Sequence, residues 1–141
     1  MPSETGIPDV GTRRVFGSWS VAVPPAFEEA FIEDGGGYWQ AWDEHRSVSL
    51  SSFVVNDDGG PVPADELAEQ VSPLEGEPID VVPPGLTGRA SEADTESPAI
   101  ASRALSGVLC AHGRVLLVTI TADDRAWVRE TWLSIRRHQP E

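Results

Sequence analysis

The 141-residue sequence has no lysine, one cysteine, one tyrosine and one methionine. Each shortage narrows the possibilities. Without lysine, all ten fixed cations are arginines, set against 23 acids for a net charge of −13. A surface this acidic repels phosphate backbones and anionic lipid headgroups, so nucleic acid and membrane surfaces are poor partners, and basic protein surfaces remain open as partners. With Cys110 alone, no intrachain disulfide can form, and its neighbours Val108 and Leu109 mark it as a buried, inert thiol on a strand. No apolar run approaches the roughly 20 residues of a membrane-spanning helix. The first thirty residues hold no apolar run with a cationic flank, so no leader and a cytoplasmic location are expected.

Chemical motifs are also missing. There is no Gly-x-Ser-x-Gly run, no Walker A loop and no dinucleotide fingerprint. His45, His112 and His138 lack a second ligand at metal-binding spacing, and Asn56-Asp57-Asp58-Gly59 lacks the alternating acids of a calcium loop. No catalytic residue, metal or cofactor is therefore expected.

What is present is one domain's length of chain, with five tryptophans to fill a core and thirteen glycines and twelve prolines for loops. Residues 1–12 read as a flexible N-terminal arm and residues 13–141 as a single α+β domain. Trp19, Val21 and Val23 alternate with small residues and run into Pro24-Pro25, a strand with a hard stop. Ala26 to Asp34 reads as a short helical turn or a loop that tucks Phe27 and Phe31 inward. Tyr38 to Asp43 is an aromatic strand. Ser47 to Asn56 is a serine-rich strand whose apolar phase slips between Leu50 and Phe53, which predicts a bulge at Ser51-Ser52.

Pro63 to Val71 carries a small helical stripe stopped by Pro73. Extended character returns over Leu86–Thr95 and Ala99–Ala111, followed by a tight turn and the β-branched run Val115–Ile120, which reads as a central strand covered on both faces. The last segment is an amphipathic helix opening at Thr121, with Val128, Trp132 and Ile135 on one face and Arg136, Arg137 and His138 at its negative end. The expected fold is a single antiparallel sheet of about six strands, with this C-terminal helix and one or two shorter helices packed on it.

The order of elements resembles the PsbP-like α+β fold, shared by a photosystem II extrinsic protein, a Ran-binding import factor and small bacterial proteins. Trp19-Ser20-Val21-Ala22-Val23-Pro24 is similar to that family's opening strand. Val115–Ile120 running into Thr121–Arg136 is similar to its closing strand and helix. The resemblance implies a non-enzymatic binding role and supplies no catalytic residues.

Charge is uneven. Residues 1–100 hold nineteen acids and four arginines, −15, whereas residues 101–141 hold four acids and six arginines, +2. The C-terminal third therefore reads as scaffold, and a working surface is expected upstream, at Tyr38, Trp39, Trp42, Arg46, Asp57 and Asp58. Trp39 and Trp42 have opposite strand parity, so one must face away from the core. Two readings stay open: a non-catalytic domain contacting another protein, with an immunity- or antitoxin-like role as one form of it, or a small-ligand binder with a pocket near Tyr38–Arg46.

Overall fold

A computed structural model describes residues 11–16, 19–32, 37–54, 56–57, 59–61, 63, 66, 77–79, 81–94, 103–111 and 113–138. The chain is mostly β. Twelve strands are described: β1 (Gly11–Val15), β2 (Trp19–Val23), β3 (Glu28–Ile32), β4 (Tyr38–Trp42), β5 (Ser47–Val54), β6 (Asn56–Asp57), β7 (Gly60–Pro61), β8 (Glu77–Ile79), β9 (Thr87–Asp94), β10 (Arg103–Ala111), β11 (Arg114–Ala122) and β12 (Arg136–Arg137). One helix, α1 (Arg125–Leu133), stands among the described residues.

The strands form two main sheets. Seven pair in the order β3-β4-β5-β11-β10-β9-β8, and three in the order β1-β2-β12. All described pairings are antiparallel. The expected single sheet of about six strands with several helices is thus corrected to two sheets and one described helix. The predicted helix at Pro63–Val71 lies, apart from Pro63 and Glu66, outside the described residues.

Three local expectations fail for identifiable reasons. Glu28–Ile32 is a strand because β4 offers it a complete partner, Glu28 opposite Trp42 through Ile32 opposite Tyr38; pairing overrides a composition that suits a helix equally well. Arg136 and Arg137 pair with Ser20 and Trp19 instead of ending the helix. No bulge interrupts β5, whose register against β11 runs unbroken from Ser47–Thr121 to Val54–Arg114. Phe53 therefore stays on the opposite face from Leu50, where it is 41% exposed.

The core lies between the large sheet and a second layer made of α1 and the small sheet. Helix α1 packs on β10 and β11 on one side and on β2 on the other. Trp19, Val21 and Val23 from β2, Val128 and Trp132 from α1 and Ile135 just past its end meet Trp39, Leu50, Leu105, Leu109, Leu116, Val118 and Ile120 of the sheet. Gly107 makes the closest approach possible, since a Cβ there would sit 2.5 Å from Trp132 Cζ3. Between β10 and β11, Gly113 adopts a φ of 72°, which a tight hairpin turn requires and glycine supplies without strain.

The helix begins later than its sequence suggests. Thr121 and Ala122 complete β11, and Asp124 is the N-cap: its Oδ1 accepts the backbone N–H groups of Ala126 at 3.0 Å and Trp127 at 3.3 Å. Asp124→Ala is expected to cost about 1 kcal/mol, read as a lower urea midpoint with an unchanged m-value.

Candidate functional site

Strand register assigns every side chain of the large sheet to one of two faces. The inner face carries the core. On the outer face, the pairings place Ile32, Tyr38, Ser51, Leu117, Val108 and Arg89 in one row across six strands. A second row holds Phe53, Val115, Cys110 and Thr87. With strands about 4.8 Å apart, Ile32 and Leu117 stand roughly 14 Å from one another.

Burial divides this face. Val108, Cys110 and Val115 are buried, whereas Ile32 is 53% exposed, Phe53 41% and Leu117 40%. Around the exposed group the chain places small hydroxyl residues: Ser47, Ser49 and Ser51 on β5, and Thr119 and Thr121 on β11. Short side chains cannot cover their long neighbours, so the apolar groups stand clear of the sheet. The Tyr38 hydroxyl donates to Ser49 Oγ at 3.3 Å, which holds the phenol along this surface. No described element lies across the β3–β4–β5 part of the face.

The six residues singled out from sequence are dispersed. Trp39 is buried on the inner face, its Nε1–H donating to Glu29 Oε2 at 2.9 Å. Trp42 takes the opposite parity and lines a cavity of about 310 Å³ with Ala26, Glu28, Asp43 and Glu44. Arg46 is held by Asp43 through two bonds of 2.7 and 3.0 Å, with its guanidinium 5.1 Å from the centres of both the Phe27 and Trp127 rings. Tyr38 sits at the far end of β4 from Trp42. Asp57 belongs to the short strand β6 and pairs with Gly60, but its side chain, like all of Asp58, lies outside the described residues. These residues share no single pocket.

A second concavity, about 230 Å³, lies between β2 and α1 and is lined by Val23, Pro24, Trp127, Glu130, Thr131 and Ser134 among others. Its polar groups are largely engaged. Ser134 Oγ accepts the Ala22 N–H at 3.0 Å and donates to the Thr131 carbonyl at 2.7 Å. Among the described residues, Glu130 is the one charged group on its wall, and no second ionisable side chain lines it to form an acid–base couple.

Five ionisable groups are shifted among the described residues, and three of them, Asp43, Cys110 and Glu92, bear on the site. Burial alone would raise the Asp43 carboxyl, but bonds from Arg46 and from the His45 and Arg46 backbone N–H groups outweigh it and hold the group below its ordinary range. Burial pushes the Cys110 thiol up, partly countered by Arg89, as befits an inert thiol.

Glu92 is the third. Its side chain has no solvent access and lies on the inner face of β9, where sequence reasoning had not placed a charge. Arg129 Nε at 2.9 Å and Arg103 Nε and Arg125 Nε at 3.2 Å surround it, and Glu77 joins the cluster through Arg103. Burial opposes ionisation, and the three guanidinium bonds overcome that and lower its pKa. The cluster ties β9, β10 and α1 together and turns its charge inward. The available signal was parity: Glu92 shares a face with the buried Ala90.

Among the described residues, no group of three or more His, Cys, Asp or Glu side chains is placed to hold a metal ion, and no helix is long and apolar enough to cross a membrane. No family model matches the chain, and no curated protein matches it in sequence. A crystal structure from Bacteroides thetaiotaomicron is similar in fold, with a TM-score of 0.56 at 14% identity over 89% of this chain. The chain spans 47% of that protein's length. At this identity the likeness concerns fold alone.

Proposed function

We propose that this chain is a non-catalytic protein-binding domain that docks a partner on the outer face of its seven-stranded sheet. The observation that carries the reading is the set of exposed apolar side chains on one face, Ile32 and Leu117 in one row and Phe53 in the next, standing clear of a hydroxyl-lined sheet. Apolar groups grouped on one face of a monomer mark a contact surface more often than scattered ones do. The net charge of −13 selects the partner's chemistry: an apolar centre within a basic surround. Steering by opposite charge speeds such encounters and weakens with salt.

The test is capture of partners from the native lysate at low and high salt, using the wild type and Leu117→Arg. Because Leu117 points to solvent, the substitution is expected to change stability by no more than about 0.5 kcal/mol. A protein retained by the wild type at low salt, weakened at high salt and lost from Leu117→Arg is the expected result. Recovery of nothing in either salt, or equal recovery by both chains, contradicts the reading.

A further inference from the structure

Strand β3 is the outermost strand of the large sheet at one end, and all five of its residues are exposed. Edge strands are usually guarded by charged side chains, lysine above all, by proline, by a bulge or by an inward-pointing charge. Glu28-Glu29-Ala30-Phe31-Ile32 has no lysine, proline or bulge and a regular register with β4; its guard is acidic only, Glu28 and the inward Glu29 that accepts from Trp39, which turns away acidic strands and leaves basic ones. Among the described residues, no backbone group bonds to its outer side. Phe31 and Ile32 are 47% and 53% exposed at one end, and two glutamates occupy the other.

Beside the glutamate end lies the cavity of about 310 Å³ walled by Glu28, Trp42, Asp43 and Glu44. Asp43 is already neutralised by Arg46 at 2.7 Å. Among the described residues, Glu44 pairs only with His45, at 3.9 Å. The cavity thus offers an indole and two carboxylates with little cationic company among the described residues, adjoining main-chain donors and acceptors to which no described backbone group bonds from outside.

We propose that β3 accepts an extended, basic segment of the partner protein as an added antiparallel strand, with an arginine or lysine of that segment seated beside Trp42. The inference rests on the protein-binding reading and names the partner's chemistry. Main-chain bonds to an edge give affinity, and pockets for alternate side chains give specificity. An indole ring and carboxylates together attract a cation more than either does alone. Charge also disfavours a second copy of the chain as occupant, because two bodies of −13 each repel.

The experiment uses the full chain and a synthetic peptide of about seven residues, a typical strand length, alternating valine and arginine. A matching valine–glutamate peptide is the control. Amide hydrogen exchange over residues 28–32 is the readout. The arginine peptide is expected to slow exchange of β3 amides at least about tenfold and the glutamate peptide to leave it unchanged, since juxtaposed like charges repel. Glu28→Arg is expected to abolish the protection and Leu117→Arg to retain it. Unprotected β3 amides, equal effects of the two peptides, or full protection in Glu28→Arg overturns the proposal. A captured partner with β3 unprotected sinks the edge inference alone; failure of the capture sinks the docking reading itself.

Discussion

Trp132→Ala is expected to destabilise the domain by about 3–5 kcal/mol, the range for truncating a large buried aromatic. Trp132 is fully buried and is the wedge between the two layers. Its six-membered ring lies against Gly107, where any side chain would collide with it. Its Nε1–H donates to the Val81 carbonyl at 3.0 Å, tying the 81–86 segment to the helix. Removing the indole empties the space that Gly107 leaves open, and β10 cannot close it without breaking register with both neighbours. For a chain of this size the loss corresponds to a melting temperature lower by roughly 10 °C. Trp132→Phe keeps most of the ring but orphans the Val81 carbonyl, and a drop of about 1–3 kcal/mol is expected. Thermal and urea unfolding of the three chains measure the series, and an alanine variant as stable as phenylalanine would contradict this packing account.

Glu92→Ala is expected to cost about 3 kcal/mol, the low end for breaking a buried ion pair, because Arg125 and Arg129 can turn toward water once released. Arg103, only 18% exposed, cannot do so as readily. The pH dependence follows from the lowered pKa of Glu92. A carboxyl whose folded pKa is depressed contributes its stability fully above the unfolded value, near 4.5. That contribution is lost as pH falls through the folded value. Wild-type stability should therefore be flat through neutral pH and decline in acid. Glu92→Gln should start lower and decline less, retaining only the share due to groups such as Asp43, which is also lowered. Parallel curves for the two chains would show that the cluster does not link protonation to folding.

Most strands were legible because they alternate. Trp19, Val21 and Val23 and the serine-spaced β5 announce their period without help from the fold, whereas β11 was legible as a continuous β-branched run; its expected cover on both faces holds only in part, since Leu117 and Thr119 are exposed. The helix was legible through its apolar stripe, although its cap moved from Thr121 to Asp124 because β11 continued to Ala122. Strand β3 was not legible: Glu28-Glu29-Ala30-Phe31 suits helix or strand, and a partner strand decides between them. The bulge expected at Ser51-Ser52 came from assuming that Phe53 must be buried. The register shows that it need not be: Phe53 is 41% exposed at the β5 end of its row, although Val115 and Cys110 in the same row are buried.

The surface was legible only in parts. The opposite parities of Trp39 and Trp42 follow from adjacency along one strand, and they do face opposite ways. The row from Ile32 to Leu117 depends on β5 lying beside β11, two strands separated by 59 positions along the chain from Val54 to Arg114 at their closest, and no local signal encodes that neighbour. For the same reason the C-terminal third, read as scaffold from its charge of +2, contributes Leu117 to the exposed face. Three of its arginines are spent on Glu92.

The docking face is tested most directly by hydroxyl-radical footprinting of the chain alone and with its captured partner. The account predicts that labelling of Tyr38, Phe53 and Leu117 falls together on binding, while Trp127, beside the groove on the opposite layer, keeps its reactivity. Unchanged labelling of Phe53 and Leu117 with protection of Trp127 would contradict it.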